Sequence, residues 1–179
     1  MSDAKNTEEK PKIDVRQLAD VANRVELTAI NLLQLSCKGP DGVELADGTL
    51  VMDYEYKTAA RRRDTRPGFD VRFDLKVEIK TITRAKGEGA VGASSVVACD
   101  LSYALEYRLP EVAPQDWNER IGLFAQVNGV VNAWPYARQE FASLLAKMGL
   151  PPLLLPVYRP GRPTKARIEF EPLVSTARP

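Results

Sequence analysis

Two stretches of this sequence have the residue types and spacing that recognise phosphate. GEGAVG (87–92) fits G-x-G-x-x-G letter for letter, and in a dinucleotide site such glycines bring a pyrophosphate to the N-terminus of a helix. That chemistry needs a strand before the loop and a helix after it. Here SVVACDLSYALEY follows, which alternates like a strand, so the glycines read as a hairpin loop. AARRRDTR (59–66) brings Arg61, Arg62, Arg63 and Arg66 together, and guanidinium forks suit phosphate oxygens. The run lies between two strand-like segments, ends on Pro67-Gly68 and lacks the interleaved aromatics on which single-strand binders stack bases. A solvated loop is the reading it favours, with a nucleic-acid contact and a contact with an acidic partner protein left open.

Catalytic constellations are harder to find. The chain has no histidine, which removes Ser-His-Asp and Cys-His nucleophile systems, H-E-x-x-H zinc sites and ordinary imidazole proton relays. Ser94, Ser95 and Ser143 have no candidate base beside them in sequence, and the carboxylates alternate with Arg and Lys as on a solvated sheet face. The expectation is therefore a protein that is not an enzyme and uses neither cofactor nor metal. Cys37 and Cys99 lie far apart inside strand-like segments, which fits buried reduced thiols better than a disulfide framework or a metal knuckle.

The composition sets the frame for these residues. At 179 residues and 44% hydrophobic, the chain can bury one core. Its 25 basic side chains nearly cancel its 24 acidic ones, so no overall field steers it to nucleic acid or an acidic membrane. Residues 1–12 (MSDAKNTEEKPK) have no apolar core and read as a disordered arm, neither signal peptide nor anchor. LPPLLLPV is too short and proline-broken to span a bilayer. A cytoplasmic protein with a single domain over 13–158 is expected, followed by a tail over 159–179 that is partly ordered at most.

The elements follow from periodicity. Val15, Leu18, Val21, Ala22 and Val25 recur at helical spacing, so a short N-terminal helix is expected over 13–25. A first strand follows from Val25 to Cys37, with Asn31 interrupting its apolar stripe. LVMDYEYK gives a second strand. FDVRFDLKVEIK gives a third, with Phe69, Val71, Phe73, Leu75, Val77 and Ile79 alternating without error against charged residues. The fourth carries Val97, Cys99, Leu101, Tyr103, Leu105 and Tyr107 on one side. The period then becomes helical: one helix opens at Asp116-x-x-Glu119 and stops at Asn128-Gly129, and a second runs from about Asn132 to Met148 with Gly149 as its left-handed cap. Pro135 is then placed in the first turn of that second helix, where its missing N–H sacrifices no hydrogen bond. The expected fold class is α+β: a four-stranded antiparallel sheet, a short N-terminal helix and two C-terminal helices.

That order, with Trp134-Pro135-Tyr136-Ala137-Arg138, Ser143 five residues after the arginine and Pro151-Pro152-Leu153-Leu154-Leu155 after the helix, resembles the SecB preprotein-chaperone family. In that family the long helix opens on Phe-Pro-Tyr-Ala-Arg and a Pro-x-Leu-x-Leu segment follows it. The resemblance covers roughly residues 25–158 and is specific only from Trp134 to Pro156. It implies an α+β protomer that forms homodimers or homotetramers and binds unfolded or nascent polypeptides in apolar grooves without ATP. Family members that serve protein export hand clients to the SecA motor and are acidic. This near-neutral chain looks closer to the divergent, solitary SecB-like proteins, some of which guard an antitoxin in a toxin-antitoxin system. On this reading the client-contacting apolar surface comprises Tyr54, Tyr56, Trp117, Phe124, Trp134, Leu153 and Leu155, while Pro135, Tyr136, Arg138 and Gly149 carry the structural motif. Core packing is the other role open to each of the seven, and the better one for Trp134 and Phe124. The rival classes are a small ligand-binding or scaffold α+β domain and a nucleic-acid adaptor using the Arg61–Arg66 loop.

Overall fold

The chain's computed structural model describes residues 15–39, 49–63, 66–84, 91–111, 117–150, 153–161 and 163–170. Helix α1 (Val15–Ala22) leads into β1 (Glu26–Lys38), β2 (Thr49–Arg62), β3 (Gly68–Arg84) and β4 (Val91–Arg108). Helices α2 (Asn118–Phe124) and α3 (Val130–Lys147) follow, joined by a wide π-helical turn over Ala125–Gly129, and β5 (Lys165–Phe170) comes last. All neighbouring strands are antiparallel, in the order β1-β4-β3-β2-β5. The sheet therefore has five strands where four were expected. KARIEF has a clean alternation of its own, and its backbone adds to the free edge of β2 with Met52 opposite Ile168.

Alternation decides which face is the core. Phe69, Val71, Phe73, Leu75, Val77 and Ile79 of β3 are all buried, as are Val97, Cys99, Leu101, Tyr103, Leu105 and Tyr107 of β4. The intervening residues pair on the opposite, wet face: Arg72 with Asp74, Ser102 with Asp74, and Lys80 with both Glu78 and Asp53. The two C-terminal helices and the turn between them pack across β2, β3 and β4. Helix α1 is tied to α2 by Arg120 and Asp20 at 2.8 Å.

Two expectations about the helices are corrected. Gly129 does not stop the first helix, because the chain continues through it in helical conformation. A Cβ there would lie 2.8 Å from Val71 Cγ1, so the glycine lets the helical segment press against β3. Pro135 consequently sits inside α3 and not at its start. It deprives the Val131 carbonyl of its usual N–H partner, at a turn whose Val131 side chain is 44% exposed. Gly149 does end the helix, with φ of +70° as a left-handed cap requires.

Strand β1 also departs from expectation. An apolar stripe interrupted at Asn31 is expected there, but the register slips between Leu27 and Ala29 and between Leu32 and Gln34. None of its residues is fully buried. Cys37 and Cys99 face one another across β1 and β4 and form a disulfide, so they are not the separate thiols their sequence distance suggested. The first half of the arginine run is strand and not loop: Arg61 and Arg62 finish β2 opposite Asp70 and Phe69, while Arg63 and Arg66 lie beyond its end. The N-terminal arm, Asp116, residues 87–90 of the glycine stretch, Pro151 and Pro152 lie outside the described residues.

Candidate functional site

Trp134 organises the region that the motif singled out. Its indole lies 5.6 Å from the ring of Tyr54, 5.7 Å from Tyr56, 6.2 Å from Phe73 and 5.7 Å from Tyr158, centroid to centroid. Offset and edge-on aromatic pairs of this kind contribute about 0.5–1.5 kcal/mol each beyond the area they bury. A helix residue, two sheet tyrosines and a residue of the following segment thus share one cluster. Removal from water pushes the Tyr56 hydroxyl's pKa well above its usual value.

The segment after α3 is held to the helix by its backbone. Trp134 Nε1 donates to the Pro156 carbonyl at 2.7 Å, and Arg138 Nε donates to the Leu155 carbonyl at 2.8 Å. These bonds explain why tryptophan and arginine stand four residues apart in the motif: both side chains reach the same side of the helix. Residues 153–158 therefore run along α3 as an extended strap. Its side chains split by position. Leu153 and Leu155 point into the core, whereas Leu154 is 49% and Val157 62% exposed. Val131, seven residues before Arg138 and on the same side of α3, is exposed as well.

All seven residues expected to form the apolar surface are buried: Tyr54, Tyr56, Trp117, Phe124, Trp134, Leu153 and Leu155. Their place in this protomer is the core, because large apolar rings gain most by leaving water entirely. Phe124 packs edge-on against Phe69 and Tyr107, and Trp117 lies under the Arg24 guanidinium at 5.4 Å. Tyr136 of the motif is 50% exposed.

Leu27, Leu32, Leu33 and Leu35 of β1, where the sequence shows an apolar stripe, are also exposed. A signal for them exists. Leu32-Leu33 put two apolar residues side by side in a strand, which breaks strict alternation, and the register slips there, between Leu32 and Gln34.

Two arginines of the run are engaged. Arg63 pairs with Asp70 and with Glu106, and Arg66 pairs with Glu106 at 3.3 Å. They line a cleft of about 470 Å³ with Thr28, Glu106, Arg108 and Leu109. Among the described residues no group of three or more His, Cys, Asp or Glu could hold a metal ion. Nor is any described helix long and apolar enough to cross a membrane.

No family model and no curated protein matches the sequence. Among solved structures, the chain is similar to the Rv1957 SecB-like chaperone of Mycobacterium tuberculosis, solved in complex with a ChAD peptide from the Rv1956 HigA1 antitoxin. The identity is 23%, the TM-score 0.65, and the match covers 80% of this chain and 97% of that one. The fold of this chain is that of a SecB-like chaperone.

Proposed function

We propose that this chain is an ATP-independent holdase that binds unfolded or nascent polypeptides on exposed apolar surface. The observation that carries the reading is the strap, whose alternate residues anchor it through Leu153 and Leu155 while presenting Leu154 and Val157 to solvent. A non-native chain exposes extended apolar segments and unpaired backbone, and several weak contacts along one client add by avidity. The seven buried residues act as the wall that fixes this surface. The fold likeness to a chaperone bound to an antitoxin peptide favours a dedicated client of that kind over general export through SecA, for which the near-neutral charge supplies little attraction. Association of protomers in the cytoplasm into dimers or tetramers completes the proposal, with the apolar leucines of β1 as the contact, since an uncovered strand edge invites pairing.

Aggregation of a chemically unfolded client, followed by light scattering without nucleotide, tests this. Equimolar protein should suppress scattering, and Leu154→Ser with Val157→Ser should halve the suppression while leaving the melting temperature unchanged. Scattering that wild-type protein leaves unaltered at any ratio removes the holdase reading.

A further inference from the structure

The chain has two cysteines in 179 residues, and the fold sets them directly opposite one another. Cys37 of β1 and Cys99 of β4 are a register pair, bonded through sulfur, with Cα atoms 4.2 Å apart and a sequence separation of 62. Directly opposed residues of an antiparallel ladder stand only about 4.5–5.5 Å apart without any crosslink, so bond formation or cleavage needs little backbone movement. The two sulfurs differ in access: Cys99 is 2% exposed, whereas Cys37 is half-buried on the edge strand. Met148, just beyond the end of α3, places its Sδ 3.5 Å from Cys37 Sγ. The pair thus sits where β1, β4 and the end of the long helix meet.

The ties along β1 are unevenly spread. Near its N-terminal end Glu26 pairs with Arg108, Thr28 Oγ1 donates to the Glu106 carbonyl at 3.1 Å, and Asn31 Nδ2 donates to Glu106 Oε1 at 3.2 Å. Beyond Leu32 the register slips, and Leu33, Gln34 and Leu35 are exposed. An edge segment with so little buried surface opens at low free-energy cost; Gln34 to Lys38 keep their ladder pairing with β4, and the disulfide adds a covalent tie at that far end.

We propose that Cys37–Cys99 is a reversible oxidation site, exchanging with low-molecular-weight disulfides, that staples the C-terminal half of β1 to the sheet. In the forward direction the Cys37 thiolate attacks one sulfur of the small disulfide, expels one thiolate and forms a mixed disulfide. The Cys99 thiolate then attacks Cys37 Sγ and expels the second thiolate. Two protein thiols are oxidised, one small disulfide is reduced to two thiols, and the two protein protons pass to the leaving thiolates. An external dithiol reverses the sequence by attack on the accessible Cys37 sulfur. The inference does not rest on client binding, but it shares β1 with the protomer contact proposed above, so its test is read at a concentration where the protein is monomeric.

Hydrogen exchange of the full chain read by mass spectrometry tests it, with the protein equilibrated in oxidised glutathione or in dithiothreitol. Backbone amides over Leu32–Lys38 should exchange about tenfold faster or more when reduced, by release of local opening, while Glu26–Ile30 and β3 stay unchanged. Cys37→Ser in oxidised glutathione should exchange as the reduced wild type does. The wild-type comparison carries the test by itself if that variant fails to fold. Equal exchange in the two redox states overturns the proposal. So does a protein that, after oxidised glutathione, retains two alkylatable thiols or a lasting glutathione adduct in place of the internal bond.

Discussion

The two edges of the sheet are built on opposite plans. On one side β5 closes β2: Ala166, Ile168 and Phe170 turn towards the core and Lys165, Arg167 and Glu169 turn to water. Arg167 forks onto Asp53 at 2.8 and 3.0 Å. On the other side β1 carries Leu27, Leu32, Leu33 and Leu35 and buries none of them fully. Charged edges discourage pairing with other chains and apolar ones invite it. The chain's own tail has thus finished one edge, while the other is left with the composition of a contact surface. The helices take part in the same asymmetry, because they pack across β2, β3 and β4.

Several changes would break or sharpen this contrast. The scale is set by the centre that both edges share. Phe73→Ala removes a fully buried ring and should cost about 3–5 kcal/mol, read as a shift in the denaturant midpoint. Next comes the close approach of the helical segment to β3. Gly129→Ala puts a methyl group 2.8 Å from Val71 Cγ1 and should cost about 1–3 kcal/mol through overpacking; a neutral result would mean that the glycine is not what seats the helices there.

The edges themselves should then separate. Ile168→Ala on β5, half-buried, should cost about 1 kcal/mol from its lost apolar burial. Leu33→Ala on β1, 55% exposed, should stay within about 0.5 kcal/mol of wild type in the protomer and act instead on the mass found by light scattering. If Leu33→Ala destabilises as much as Ile168→Ala at a concentration where the protein is monomeric, the contrast between the edges fails.

The smallest effect is electrostatic and confined to the β5 side. The Arg167 hydrogen bond, with help from Lys80 and against the cost of burial, pulls the Asp53 pKa down to about 2. A carboxylate with a depressed folded pKa contributes stability that is complete above its ordinary value and fades as pH falls towards the folded one. The β2–β5 pairing should therefore loosen between about pH 4 and pH 2, seen as faster exchange at Ile168 in the wild type relative to its own rate law. Asp53→Asn should abolish that pH dependence while leaving β1 unaffected.

Much of this architecture could be read from residues alone, and the exceptions share a physical cause. The third strand was legible because a residue-by-residue alternation of apolar and charged side chains admits one buried face. Gly149 was legible because a left-handed cap is a local requirement. Gly129 was not, since the same residue that can stop a helix can also permit close packing, and only Val71, far away in sequence, decides between them. The disulfide depended on a strand register no local pattern specifies. The fifth strand was present as alternation in KARIEF, but it is short and follows a proline-rich stretch, and its partner is an edge left free by strands far upstream. At the candidate site, the seven apolar residues singled out in the sequence are buried, and Leu154 and Val157 beside them are the exposed ones. Which leucines of the strap face inward follows from the carbonyls that Trp134 and Arg138 capture, and that is a property of the folded chain.

The central claim is that the exposed side of the strap meets the client. A photoreactive side chain placed at position 157, and in a parallel sample at position 76 on the charged face of the sheet, reports this directly with an unfolded client polypeptide and no nucleotide present. The account predicts crosslinks from 157 and none from 76. Crosslinks from 76 with none from 157 would contradict it.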